Sequence, residues 1–178
     1  MSANTTSGFA VVTYTGNGTA GATVGHGLGV APSMVIAKSR SNLSNWPVYH
    51  ISNGATGTVW LNVTNAFQVS SLLWNNTTPS SSVFTIGATN DDTNTNGRTY
   101  VAYCFAAIAG YSAFGSFSGN ASTDGVFVYT GFLPRLIMVK CSSGTGNWFM
   151  LDSSRNTYNV VNNQLRSEEH TSELQSQS

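Results

Sequence analysis

A chain of 178 residues is long enough to bury one large core or two small ones. Only 8% of it is charged while 11% is aromatic, which excludes the high-charge, aromatic-poor composition of disorder and suits short strands separated by turn residues. Residues 1–165 carry six Lys or Arg (Lys38, Arg40, Arg98, Arg135, Lys140, Arg155) against four Asp (Asp91, Asp92, Asp124, Asp152), a formal +2 that is no electrostatic footprint for nucleic acid or an anionic membrane.

Residues 1–8 read as a lead-in without the basic and apolar regions of a signal peptide, so synthesis in a cytoplasm is expected. The first strand is predicted over Phe9 to Tyr14, followed by a Gly-Asn turn at Gly16-Asn17-Gly18, where both residue types tolerate positive φ. A Gly-rich loop, Gly25-His26-Gly27-Leu28-Gly29, leads to Pro32 and a nearly continuous apolar run, Met34 to Lys38, the pattern of a strand covered on both faces. Further strands are expected at Pro47 to Ile51, Thr58 to Asn62, Val83 to Ile86 and Tyr100 to Ala107. Phe67 to Trp74 fits either a short helix or a strand. The polar run Asp91 to Gly97 is expected to be a hairpin loop between Val83–Ile86 and Tyr100–Ala107, because Asn-Gly between strands is a strong hairpin signal.

The chain then repeats itself. Pro32, Lys38, Asn45 and Trp46 return as Pro134, Lys140, Asn147 and Trp148, all at an offset of 102 residues, and the turn after Tyr14 returns as Phe117-Ser118-Gly119-Asn120. The expected organisation is a lead-in (1–8), a first repeat (9–116), the first half of a second, truncated repeat (117–165) and a tail (166–178). All three glutamates fall in that tail, and Arg166 to Ser176 match, residue for residue, an in-frame translation of a common sequencing adapter. The tail is therefore expected to be a non-native scar of metagenomic assembly that packs against nothing.

Four short motifs invite chemical readings, and each meets a plainer one. Asp92-Thr93-Asn94-Thr95-Asn96-Gly97 resembles the start of a calcium loop, but the twelfth position, where a bidentate acid is needed, is Tyr103. Asp91 and Asp92 are adjacent and tend to point apart, so the converging carboxylates of a glycosidase are not expected. His26 stands alone between glycines, whereas a metal site needs three or four ligands, and no Lys-Ser/Thr follows its loop as a phosphate cradle requires. Cys104, inside an apolar run, reads as a small buried hydrophobe, and with Cys141 as the only other cysteine no disulfide framework is expected. No catalytic residue, metal or cofactor is expected.

Thr13-Tyr14-Thr15-Gly16-Asn17-Gly18, Gly25-His26-Gly27-Leu28-Gly29, Asn75 to Phe84, Tyr100 to Ala106 and Phe127 to Phe132 together resemble an uncharacterised repeat domain of marine phage tail and tail-fibre-type proteins, one often placed next to lamin-G-like, concanavalin-type domains. The resemblance implies a virion component at the host-facing end of a tail and brings no catalytic residues with it. The expected fold is all-β, an antiparallel β-sandwich of jelly-roll or concanavalin type in tandem repeat. The expected function is a non-enzymatic structural or binding module of a phage tail. Its expected partners are other virion proteins, a host-surface glycan and further copies in a homo-oligomer, with neither nucleic acid nor membrane insertion. A carbohydrate-binding module of a bacterial surface protein is the alternative. Contact is expected through loops, around Asn42 to Asn45 and Asp91 to Gly97, with Asn94 and Asn96 as polar groups and Trp60 and Trp74 as aromatic anchors where exposed. Trp46 and Trp148 recur at one repeat position, which assigns them to packing.

Overall fold

The computed structural model describes residues 1–155 and 163–166. Within them the regular secondary structure is nearly all strand, with a single one-turn helix. The main layer is a seven-stranded, wholly antiparallel sheet in the order β1 (Ser2–Asn4), β2 (Phe9–Thr15), β9 (Thr99–Phe105), β4 (Met34–Ser39), β5 (Pro47–His50), β6 (Gly54–Trp60) and β7 (Gln68–Val69). A two-stranded ribbon of β3 (Ala22–Gly25) and β8 (Val83–Ile86) and the helix α1 (Ser71–Trp74) cover one face of it.

Alternation along the strands explains the two cores. On the covered face Ala10, Val12, Val35, Ala37, Ala102 and Cys104 meet Val24, Phe84 and Ile86 of the ribbon and Leu73 and Trp74 of the helix. On the opposite face Met34, Ile36, Val48 and Val59 meet Trp148. The strand β4 therefore sends every second side chain into each core, which is why Met34 to Ala37 is an unbroken apolar run. Small residues line the middle of the sheet where the bulky Trp74 and Phe84 press against it. Burial pushes the Cys104 thiol up to about 12, and Cys104 and the exposed Cys141 are both free.

One local expectation is corrected, and two gain detail. Val83–Ile86 and Thr99–Phe105 do not form a hairpin: β8 pairs with β3, and β9 is inserted between β2 and β4, so residues 87–98 cross from one layer to the other. Within the lead-in, Ser2–Asn4 adds an edge strand to β2. The ambiguous Phe67 to Trp74 is both things, a two-residue strand followed by a helix with Ser70 as its N-cap and Asn75 in the left-handed region (φ 52°) as its C-cap.

A second, three-stranded sheet holds β10 (Leu136–Lys140), β11 (Trp148–Asp152) and β12 (Leu165–Arg166). Its hairpin reproduces the register of β4–β5 with both strands moved by 102 residues: Met34 faces His50 and Leu136 faces Asp152, while Ile36 faces Val48 and Met138 faces Met150. Lys38 Nζ donates to the carbonyl of Ser44, six residues on, and Lys140 Nζ donates to the carbonyl of Gly146, also six residues on. The hairpin docks on the outer face of the main sheet. There Trp148 Nε1 donates to Trp60 O at 2.8 Å, Lys140 Nζ to Thr64 O at 2.9 Å and Phe67 N to Ser142 O at 2.9 Å. Arg166, the first residue of the segment expected to pack against nothing, pairs with Phe149 in β12, its guanidinium 5.8 Å from the Phe149 ring centre. The rest of that segment, residues 167–178, lies outside the described residues.

Candidate functional site

One end of the main sheet gathers four connections: 16–21 after β2, 40–46 between β4 and β5, 61–67 after β6 and 87–98 before β9. The antiparallel order puts them side by side, because β2, β4 and β6 end where β5 and β9 begin. Both loops singled out from the sequence lie here, and the structure joins them. Asp92 accepts from Asn45 N through Oδ1 (2.8 Å) and from Trp60 Nε1 through Oδ2 (3.2 Å), tying the 40–46 connection and the end of β6 to one carboxylate of 87–98. Asn62 completes the cluster, donating through Nδ2 to Asn45 Oδ1 (3.2 Å) and accepting from Trp46 N (3.0 Å). Lys38 Nζ sits 5.6 Å from the Trp46 ring centre, an attraction worth about 0.5–1 kcal/mol at an exposed site.

The neighbouring carboxylate works differently. Asp91 is exposed, and its carboxyl is held below the usual range by the Thr95 hydroxyl (2.9 Å) and then by Arg98 (2.7 Å). Asp91 and Asp92 thus hold different partners and do not converge on a common point. Beneath the loop, Tyr14 OH donates to Thr93 O at 2.9 Å, and Tyr100 OH accepts from Thr95 N at 2.9 Å. Burial, with Tyr100 alongside, raises the Tyr14 phenol far above its ordinary pKa, so it serves as a fixed donor.

The sequence-derived contact residues separate into two groups. Asn96 is exposed, as are Asn42, Leu43 and Asn45 of the neighbouring loop. Trp60 is half-buried, its ring against the inner core and its indole N–H on Asp92, so it anchors the loops rather than projecting from them. Two candidates are corrected. Trp74 is 1% exposed in the inner core under α1, in edge contact with Tyr49 and Phe84, because the helix turns it toward the sheet. Asn94 is fully buried: its Oδ1 accepts from Asn17 N (2.9 Å) and Gly18 N (3.3 Å), and its Nδ2 donates to Thr19 O (3.0 Å) and Gly87 O (2.6 Å). Neither side chain can reach a ligand. Asp92 and Asn45, which hold the site together, stand in the two loops singled out from the sequence, but nothing in the sequence paired them with each other.

His26 is also buried, accepting from Leu28 N at Nδ1 (3.2 Å) with Nε2 3.1 Å from Ser80 O, so both ring nitrogens are satisfied within the fold. Among the described residues no three His, Cys, Asp or Glu side chains gather as a metal site would require. A cavity of about 330 Å³ between β2 and β3 is lined by Val12, Tyr14, Val24, Ile86 and their neighbours, with no carboxylate, histidine or cysteine. What the loop end offers is a rigid display of amides, one salt-bridged carboxylate and the exposed Leu43. Such groups can hydrogen-bond and pack; nothing in them pairs a nucleophile with a base.

Residues 1–178 match a family described as a domain of unknown function, DUF7483. No curated protein matches the chain, and no solved structure does.

Proposed function

We propose that this chain, which belongs to the DUF7483 family, is a non-catalytic structural and binding module of a phage tail or tail fibre, built as a β-sandwich of jelly-roll or concanavalin type in tandem copies. The observation that carries the proposal is the pair of hairpins. β4–β5 and β10–β11 share their register at an offset of 102 on both strands, share a lysine that closes the connecting loop, and share a tryptophan at the start of the second strand. The paired residues themselves differ, from Met34 and His50 to Leu136 and Asp152, so the likeness rests on the common register, the loop-closing lysine and the tryptophan.

The contact between the copies supports the assembly role. Ile36 and Trp46 of the first copy lie in one apolar cluster with Met138 and Trp148, their counterparts in the second. Same-face packing of this kind holds units in a fixed relation, which a tail needs and a substrate pocket does not. The resemblance to phage-tail repeat domains supplies the virion location. Host contact falls to the loop end, with Asn42, Asn45 and Asn96 as the exposed amides facing a surface glycan. Long-read sequencing of the genomic locus tests the assignment. Flanking tail, baseplate or capsid genes are expected. A secretion leader ahead of the reading frame, with no virion genes nearby, would favour the bacterial surface module.

A further inference from the structure

We propose that the pocket lined by Phe9, Phe105, Tyr111 and Phe114 binds a small quaternary ammonium group, the trimethylammonium head of choline and its esters. It lies at the end of the main sheet away from the loop cluster, where β2 begins and β9 ends. There Phe9 stands opposite Phe105, with their rings 4.9 Å apart. Beyond β9 the chain doubles back: Ile108 N donates to Ser112 O and Oγ, both at 3.1 Å, and Tyr111 N donates to Ile108 O at 2.9 Å. That closed turn carries Tyr111, 63% exposed, and leads into Phe114, whose ring is 6.2 Å from that of His50. Gly8 permits the close approach of the turn, because a Cβ there would lie 2.7 Å from both Ala106 O and Ile108 Cγ1.

The lining offers ring surface and little else. Four aromatic side chains line a cavity of about 270 Å³, and residues 1–37 and 99–123, from which all of the lining comes, hold no Lys, Arg, Asp or Glu. Its polar groups are taken up within the fold. The Ser112 hydroxyl donates to Ala106 O and accepts from Ile108 N, Ala106 N donates to Gly8 O at 2.7 Å, and Ser7 N donates to Asn4 Oδ1 at 3.1 Å. A sugar or a peptide is oriented by fixed donors and acceptors, and a phosphate or carboxylate by a cation, so this lining suits none of them. A quaternary ammonium group fits it: it has no N–H to satisfy, and its positive charge is drawn to the faces of aromatic rings. The volume also falls below the roughly 300–1,000 Å³ of pockets that enclose drug-sized ligands, which matches a single head group.

The rings are held in place before any ligand arrives. Phe9 and Phe105 belong to paired strands, Phe105 and Phe114 pack against the outer core, and Tyr111 sits on the hydrogen-bonded turn. A ligand with so few polar contacts depends on such preorganisation, since little binding energy is left to order loose side chains. Burial lowers the pKa of His50, so at neutral pH the imidazole beside Phe114 carries no charge that would repel a bound cation.

The full chain is titrated with choline chloride at neutral pH and constant ionic strength, with amide NMR shifts as the readout. Saturable shifts centred on 7–9 and 105–114, with a millimolar Kd, are expected. The neutral carbon isostere, in which a tert-butyl group replaces the trimethylammonium, should bind at least about fivefold more weakly, because it keeps the shape and loses the attraction to the rings. Tyr111→Ala, a change at an exposed side chain, should weaken choline binding severalfold, and Tyr111→Phe should restore it. Phosphocholine and phosphatidylcholine vesicles then separate the sources: shifts with phosphocholine alone support a soluble or glycan-linked ester, and choline-competed binding to the vesicles supports a lipid head group. Absence of saturable shifts with choline would overturn the proposal. Equal affinity for the neutral isostere would reduce the pocket to an apolar cavity and overturn it too, as would choline binding untouched by Tyr111→Ala.

Discussion

Replacing Asn94 by alanine isolates the interaction that fixes the candidate site. Its side chain fills all four of its hydrogen-bond positions from a fully buried location, joining 17–19 to 87–98. Gly18 N keeps a second acceptor, Asn94 O at 3.0 Å, and Thr19 O keeps Ala22 N at 3.3 Å, so the substitution orphans two backbone groups: Asn17 N–H and Gly87 O. At about 1–3 kcal/mol for each buried group left unpaired, with some relief from entering water, Asn94→Ala should cost about 2–4 kcal/mol. A chain of this size loses about 2–4 °C of Tm per kcal/mol, so melting should fall by roughly 10 °C. Asn94→Asp sharpens the test, since it keeps the shape and both acceptor bonds but turns an oxygen toward two carbonyls. It should be at least as damaging as alanine. Urea titrations followed by tryptophan fluorescence give the free energies directly. A loss below about 1 kcal/mol for Asn94→Ala, or a near-native Asn94→Asp, would refute the staple and return Asn94 to the list of groups free to bind.

Gly16→Ala would drive a Cβ into the carbonyl of Thr95 and should cost about 1–3 kcal/mol, read by the same titration; a neutral effect would mean that 94–97 does not press on β2. Trp148→Ala removes a 5%-exposed ring and its bond to Trp60 O. It should cost about 3–5 kcal/mol, with hydrogen exchange accelerating in β10–β11 while β2–β9 stays protected. Burial lowers the His50 pKa below 6.5, and its Nδ1 accepts from Ser52 N, so the neutral ring is the folded form. Its contribution is therefore complete above pH 6.5 and is lost as pH falls toward the folded value; His50→Gln should flatten Tm between pH 7.5 and 5, and an unchanged slope would contradict this. Asn42→Ala with Asn96→Ala should leave stability within about 0.5 kcal/mol yet reduce adsorption of a multivalent display to host cells severalfold, whereas unchanged adsorption would move the contact elsewhere.

The elements legible in the sequence were those whose burial imposes a pattern. Met34 to Lys38 showed a nearly continuous apolar run because both faces are covered, and Val83 to Ile86 stood out as three apolar residues around Thr85 between polar turns. β3 escaped because only Val24 of its four residues is buried. The pairing of β8 with β3 escaped because alternation tells which face is buried and not which strand lies alongside. Within the site the limit is sharper. Asn94 and Asn96 stand two residues apart in one polar run, and only the fold makes one a buried staple and the other a surface group. Trp60 and Trp74 were equally open from sequence; the cap at Ser70 and the left-handed turn at Asn75 orient the helix that buries Trp74.

The central claim, a module of the virion, is tested most directly by mass spectrometry of density-banded particles from the community that carries the gene. The peptide Cys141 to Arg155, released by trypsin after Lys140 and Arg155, is a suitable marker. The account predicts this peptide in banded virions and its retention in the tail fraction after capsids are removed. Its absence from virions, with recovery from bacterial envelopes instead, would contradict the account.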